Sequence, residues 1–180
     1  MTASRLLFRP ASDGDFVTRV RANDAGWDLL NMEVRKGAWA GETGECEAVI
    51  VVLGGTCRVE SSRGSWDMGG RKDVFSGMPW ALYLPRRTRF EVFGDAEIAH
   101  CWVPTDQDHP AQLVRPEDSK IEVRGGNNAT RQINSIIPPG FNCHRIVCCE
   151  VYTPGGNWSS YPPHKHDQHI EEAGQVVEAD

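Results

Sequence analysis

Two histidines near the end of the chain, His164 and His166, have the spacing expected of metal ligands. In a strand, residues i and i+2 point to the same face, so both imidazoles can face one ion while Lys165 points away. Neutral imidazoles bind zinc and other transition metals, and a carboxylate with a further histidine completes a common site. Glu171 lies five residues after His166 and could supply that carboxylate. An H-x-H in a proline-flanked polar segment is also typical of a solvated loop, so the spacing alone leaves both interpretations open.

A similar pattern without its histidines occurs in the first half of the chain. Glu47 and Gly54 have the E-x6-G spacing of the first cupin motif, on an apolar run and the turn that follows it. Two upstream histidines would fall at one of two pairs of positions, and neither pair holds histidine. These pairs are Ala40 with Glu42 and Gly41 with Thr43.

A second cupin motif, P-x-G-x2-H, is matched by residues 85–90, with Arg87 in place of glycine and Phe90 in place of histidine. A barrel built in this way would be a scaffold without a metal. Coincidental spacing in ordinary β structure is the alternative interpretation.

The cysteines offer a third arrangement to consider. Cys143 and His144 lie close in sequence to Cys148 and Cys149, which suggests a thiolate–zinc cluster. The spacing is poor for one, because Cys148 and Cys149 would face opposite sides of a strand. Reduced thiols buried in a β core are the preferred interpretation.

The elements that would position these residues are short strands separated by turns. Glycine and proline punctuate apolar runs rich in Val, Ile, Phe, Tyr and Trp, and no convincing helical period occurs in the first 110 residues. This pattern predicts an all-β sandwich, jelly roll or barrel. The predicted strands of the first half are residues 27–34, 48–53, 56–60, 81–84, 89–93 and 97–103.

The second half of the chain differs from the first. Residues 104–116 are polar and bounded by proline, as is typical of a linker. Strands are predicted at 120–124 and 145–152, whereas 131–137 could be a strand or a short helix. These strands are too few to close a second barrel, so two domains are predicted, residues 1–110 and residues 111–180.

Charge and composition limit the partners. The net charge of −6 argues against nucleic-acid binding, since no basic patch is available for phosphates, but leaves a small anionic substrate open. No apolar run approaches the roughly 20 residues that cross a bilayer, and no signal peptide is recognised. The six cysteines form no CxxC pair, which favours reduced thiols and a cytoplasmic protein.

Residues 150–167, which read EVYTPGGNWSSYPPHKHD, resemble the 5-deoxy-glucuronate isomerase family of myo-inositol breakdown. That family is related to the 4-deoxy-5-ketouronate isomerases of pectin breakdown. Softer similarity at residues 82–86 and 126–131 extends the resemblance over most of the chain.

The resemblance implies a cupin-type jelly-roll bicupin with a metal-free first barrel and a metal-binding second barrel. His164 and His166 match two ligands of the family's divalent metal, for which zinc or manganese is expected. The family's glutamate and last histidine ligands would lie beyond Asp180, so Glu171 falls in an insertion. We therefore expect a truncated chain with an incomplete second barrel, and weak or absent metal binding.

The implied reaction is the aldose–ketose isomerisation of 5-deoxy-glucuronate to 5-dehydro-2-deoxy-gluconate, a metal-dependent conversion. Lys165, Asp167 and Arg131 are candidates for contacts to the substrate, and no acid–base residue is assigned. A non-catalytic sugar-acid binding or scaffold module is the alternative function. Unpaired strand edges in an incomplete barrel predict a homodimer.

Overall fold

The computed structural model of the protein describes residues 18–26 and 28–161 and is predominantly β. It confirms the predicted all-β class. Besides the strands it contains one short α-helix, α1 (Ala22–Ala25), and two 3-10 helices, Pro116–Asp118 and Asn127–Ala129. The strands are β1 (Thr18–Val20), β2 (Asn31–Lys36), β3 (Trp39–Glu42), β4 (Cys46–Gly54), β5 (Thr56–Ser61), β6 (Gly64–Gly69), β7 (Ala81–Leu84), β8 (Arg89–Gly94), β9 (Glu97–Pro104), β10 (Gln112–Val114), β11 (Lys120–Arg124), β12 (Arg131–Ile137) and β13 (Cys148–Tyr152).

Two antiparallel sheets form the first unit of the fold. A six-stranded sheet has the order β1-β2-β9-β4-β7-β10, and a four-stranded sheet has the order β3-β8-β5-β6. Because side chains alternate along each strand, every second residue points into the space between the sheets. The core that fills this space comprises Ile50, Val52, Cys57, Val59, Met68, Leu82, Leu84, Phe90, Val92, Ala96 and Ile98.

The chain crosses from the six-stranded to the four-stranded sheet at Gly55. This residue has φ of +83°, in the left-handed region that favours glycine. A Cβ atom there would lie 2.3 Å from the carbonyl oxygen of Asp95. The crossing therefore requires glycine for its backbone conformation and for the close approach.

Strand β4 is buried on both of its faces, which explains its continuous apolar run. On the face away from the first core, Val49, Val51 and Tyr83 pack in a second core with Ile136, Ile137 and Ile146. This second core joins the six-stranded sheet to a three-stranded antiparallel sheet, with the order β11-β12-β13.

An ion pair also joins the two units. The guanidinium of Arg71 donates to both carboxylate oxygens of Glu150 on β13 and to the carbonyls of Val52 and Gly77. The hydroxyl of Tyr152, also on β13, donates to the carbonyl of Val74. The side chain of Arg71 is only 3% exposed, so this contact is part of the interior.

Several elements differ from expectation. The ambiguous residues 131–137 form strand β12, and the predicted linker at 104–116 contains β10, which pairs with β7 of the six-stranded sheet. Strands β3 and β6 were not predicted, because their sequences, WAGE and GSWDMG, contain glycine and lack β-branched residues. No helix in the described part of the chain is long and apolar enough to cross a membrane.

Candidate functional site

The predicted metal ligands His164 and His166, and also Glu171, lie outside the residues that the structure describes. The structure does describe the segment that leads to them. The amide of Trp158 donates to the carbonyl of Asn128 at 2.7 Å, and the side-chain amide of Asn157 donates to the carbonyl of Thr130 at 2.8 Å. Two of the stretches that carry the family resemblance, residues 126–131 and residues 150–167, therefore contact each other directly.

The turn before this segment is fixed locally. Gly156 has φ of +82°, and the amide of Asn157 donates to the carbonyl of Pro154 at 3.0 Å. The rings of Trp158 and Tyr161 lie edge to face, 6.1 Å apart. These contacts set the path of the chain immediately before the prolines that precede His164.

Glu47 anchors the second unit to the first. Its carboxylate is fully buried and accepts the backbone amides of His144, Arg145 and Ile146 at 2.5–3.0 Å. The hydroxyl of Tyr83 donates to the same carboxylate at 2.8 Å. Burial and this hydrogen bond raise the pKa of the Tyr83 phenol well above its usual range, so Tyr83 stays a donor. Glu47 is thus a structural anchor whose lone pairs are occupied.

The cupin-like pattern around Glu47 and Gly54 does not bring metal-ligating side chains together in the described structure. Glu47 lies on the face of the six-stranded sheet that carries Tyr83, away from the space between the two sheets. Ala40 and Glu42 are exposed on β3, whereas Gly41 faces inward, where an added Cβ atom would lie 2.8 Å from the Phe90 ring. In residues 18–26 and 28–161, no group of three or more His, Cys, Asp or Glu side chains could hold a metal ion.

The second cupin-like motif has one structural counterpart. Arg87, which stands at the position of the motif's glycine, has φ of +57°. Non-glycine residues seldom adopt this left-handed conformation, and here the Arg87 side chain pairs with Glu45 at 2.8 Å. Arg87 therefore adopts a backbone conformation that glycine adopts readily, and Phe90 is not a metal-ligating residue.

The cysteines are unpaired, and three of them pack in or against the second core. These are Cys101, Cys143 and Cys148. Burial raises their pKa to about 11, 11 and 12 respectively, which keeps them protonated near neutral pH. Cys149 is exposed on the opposite face of β13 from Cys148. This arrangement supports buried structural thiols over a zinc–thiolate cluster.

The sequence analysis missed a buried charged cluster on the inner face of the six-stranded sheet. Glu33 on β2 accepts hydrogen bonds from Arg19, from Arg35 at 2.7 Å and from Nδ1 of His100 on β9 at 3.1 Å. Burial alone would raise the pKa of Glu33, but the hydrogen bonds from His100, Arg35 and Arg19 outweigh it and lower the pKa to about 2. The sequence signal was weak, because a charged residue between two apolar ones, as in Met32, Glu33 and Val34, ordinarily faces solvent in a strand.

Comparison with known proteins gives consistent matches. The chain is 39% identical over 168 residues to the 5-deoxy-glucuronate isomerase of Geobacillus thermodenitrificans (strain NG80-2), which covers 89% of this chain and 61% of that protein. It is 36% identical over 127 residues to the 5-deoxy-glucuronate isomerase of Bacillus subtilis (strain 168), covering 68% and 47% of the two chains. With the 5-deoxy-glucuronate isomerase of Geobacillus kaustophilus (strain HTA426), the match covers 63% of that protein. The chain thus spans about half to two thirds of the length of these three curated relatives.

A solved structure agrees with the sequence matches. The crystal structure of an IolB-like protein from Salmonella typhimurium LT2 superposes with a TM-score of 0.85 and 27% identity, covering 95% of this chain and 68% of that one. The model of the KduI/IolB family matches residues 6–179. The resemblance identified from residues 150–167 is therefore confirmed, and the chain belongs to the KduI/IolB family.

Proposed function

We propose that the protein isomerises 5-deoxy-glucuronate to 5-dehydro-2-deoxy-gluconate, an aldose–ketose conversion within a sugar acid. The observation that carries this proposal is the 39% identity to an isomerase of this name over 89% of the chain. The hydrogen bond between Trp158 and Asn128 adds support, because it links two stretches that resemble the family, residues 126–131 and residues 150–167. The substrate would be a small anion, which the composition allows.

We further propose that His164 and His166 contribute to the site of a divalent metal, zinc or manganese. Two imidazoles suit either ion, and the fixed path of residues 156–158 would orient the segment that carries them. When bound, such an ion supplies Lewis-acid polarisation of a carbonyl and its neighbouring hydroxyl. Two histidines alone would hold such an ion weakly, since structural and catalytic sites use three or four protein ligands.

Among the candidates for substrate contacts, Arg131 has a local partner. Its guanidinium donates to the carbonyl of Ala129 at 3.2 Å, and the side chain is partly buried beside Gly125. This contact supports a structural role for Arg131. Lys165 and Asp167 lie outside the described residues and remain candidates for the substrate carboxylate or for proton contacts.

For the fold, we propose a cupin-type bicupin with domains at residues 1–110 and 111–180, in which β10 at the start of the second segment pairs back onto the six-stranded sheet of the first. The two antiparallel sheets around one core support a jelly-roll barrel in the first domain. Strands β11, β12 and β13 would belong to the second barrel. The six unpaired cysteines support our placement of the protein in the cytoplasm.

We also propose that the chain forms a homodimer through the edge strand β11. All five residues of this strand are exposed, among them the apolar Ile121 at 57% and Val123 at 69%. An open strand edge with apolar side chains tends to pair with another chain. A second copy could supply that pairing by matching its own β11.

Metal content separates the isomerase from a non-catalytic sugar-acid binding module. We expect the wild-type protein to lose its metal on prolonged dialysis but to bind added manganese or zinc saturably. The double substitution His164→Ala and His166→Ala should weaken the affinity for that metal at least about tenfold. Metal binding unchanged by that substitution would contradict the proposed site. A complete lack of saturable binding by the wild-type chain would favour the binding module.

A further inference from the structure

A cavity of about 300 Å³ lies beside the buried charged cluster in the first unit. Its walls come from β1, β2 and β9 of the six-stranded sheet and from β3 and β8 of the four-stranded sheet. The volume is at the small end of the range for ligand sites, which fits a compact ligand. The cavity belongs to the first unit, whereas the segment leading to His164 packs with the second.

The cavity is rich in cations although the chain as a whole has a net charge of −6. Arg19 and Arg35 donate to Glu33, while the exposed guanidinium of Arg21 forms no ion pair with any described residue. Glu42 at the rim is directed to Arg89 at 3.5 Å. A guanidinium left unpaired beside two others is a suitable partner for a carboxylate.

Aromatic rings form the apolar part of the wall. Trp102 stacks on His100 with ring centroids 4.8 Å apart, and Trp39 lies 5.1 Å from His100 and 5.1 Å from Phe90. The guanidinium of Arg35 lies 4.6 Å over the Trp39 ring. Indole faces suit the C–H surface of a hydroxylated carbon skeleton, so the wall offers both polar and apolar contacts.

Two polar atoms in this wall lack partners. Because a charged carboxylate only accepts, Nδ1 of His100 carries the hydrogen shared with Glu33, and Nε2 is an acceptor in the neutral ring or a donor in the cationic one. Nε2 of His100 and Nε1 of Trp39 are shielded from solvent and have no hydrogen-bond partner in the part of the chain described. His100 is only 9% exposed. Buried polar groups without partners are rare, and a ligand hydroxyl can both donate and accept.

We propose that this cavity binds a small hydroxylated monocarboxylate, a sugar acid, with its carboxylate at Arg21 and its hydroxyls directed to His100 and Trp39. The site is separate from the predicted metal site and does not depend on the proposed catalytic activity. Because both nitrogens are shielded, a ligand would reach them only if the partly exposed Trp39 ring rotated. The ligand would then complete the hydrogen bonding of both atoms.

The test is isothermal titration of the full chain with D-glucuronate, and with D-glucose as the matched neutral sugar, both in the presence of a chelator. We expect one binding site per chain. The affinity for glucuronate should be at least about tenfold higher than that for glucose, because one charge-assisted hydrogen bond contributes about that factor. The substitution Arg21→Ala should remove about that factor. Arg145→Ala, an exposed arginine of the second unit with no ion pair among the described residues, should change the affinity less than twofold.

Two further variants make the assignment specific. Trp39→Phe keeps an aromatic ring at this position but removes the indole Nε1. We expect it to weaken glucuronate binding by about threefold to tenfold without loss of the thermal unfolding transition. The double substitution His164→Ala and His166→Ala should leave binding unchanged. Equal affinity for glucuronate and glucose, equal effects of the Arg21 and Arg145 substitutions, or loss of binding in the double histidine variant would each overturn the proposal.

Discussion

Glu33 and Glu47 are buried carboxylates on opposite faces of the same six-stranded sheet, and they are stabilised in different ways. Glu33 is surrounded by cationic and imidazole side chains, whereas Glu47 accepts three backbone amides and one phenol. Both carboxylates accept four hydrogen bonds, but the Glu33 cluster lines a cavity, whereas the Glu47 carboxylate is enclosed between the two units. Only the first is therefore suited to bind a ligand.

Replacing Glu33 by glutamine should destabilise the protein by about 3 kcal/mol near neutral pH, because Arg19, Arg35 and His100 lose a buried anionic partner. The depressed pKa also predicts the pH dependence. A carboxyl with a pKa of about 2 when folded and an ordinary value of 4.5 contributes stability above pH 4.5 and loses it as the pH falls towards 2.

Urea denaturation of wild type and Glu33→Gln across this acid range measures the effect. The difference in the free energy of unfolding should shrink as the pH falls, since glutamine does not titrate while Glu33 becomes protonated. A difference that stays constant down to about pH 2 would show that the charge of Glu33 does not stabilise the fold.

Glu47→Gln should cost about 3 kcal/mol, since the new amide group places an N–H against backbone N–H groups that need an acceptor. The control Tyr83→Phe removes a single donor and should cost only about 1–2 kcal/mol. Chemical denaturation measures both. Equal costs for the two variants would contradict the role of Glu47 in anchoring residues 144–146.

At the scale of elements, the short strands were predictable because apolar alternation and turn residues mark them directly. The strands β4, β5, β7, β8 and β9 lie within one or two residues of their predicted bounds. Strands β3 and β6 depend on pairing with β8 and β5 rather than on their own residues, so no local pattern identifies them. Long-range pairing supplies what local propensity lacks.

The Arg71–Glu150 ion pair should couple β13 to the first unit. Arg71→Met leaves Glu150 without its cation in a largely buried position, and we expect a loss of about 3 kcal/mol. Faster amide hydrogen exchange should be concentrated in β12 and β13. Arg58→Met, which removes exposed ion pairs with Glu60 and Asp67, should leave the stability nearly unchanged and serves as the control. Uniform acceleration over both units would contradict the local coupling.

The exposed edge strand β11 leads to a prediction about assembly. Val123→Lys adds a charge at a 69% exposed position, so the chain should fold normally but lose dimerisation. Light scattering at micromolar concentration should then give half the wild-type mass. Val147→Lys, at a position 65% exposed and outside the strands, should stay dimeric. A monomeric wild-type protein would contradict the proposed dimer.

At the scale of the whole molecule, the family could be recognised from one continuous stretch, residues 150–167, because its residues are adjacent in sequence. The cluster around Glu33 could not be recognised in this way. Its partner His100 is 67 residues away and meets Glu33 only when β2 pairs with β9. The E-x6-G spacing of Glu47 and Gly54 likewise does not fix which face of β4 the carboxylate occupies.

The conversion of 5-deoxy-glucuronate, followed by NMR with added manganese or zinc, tests the central claim most directly. We predict formation of the 5-keto product by the protein at saturating metal, its loss on chelation, and its loss in the double substitution His164→Ala and His166→Ala. Retained conversion in the chelated protein or in that variant would contradict the metal site. A folded, metal-loaded protein that forms no product would contradict the proposed isomerase function.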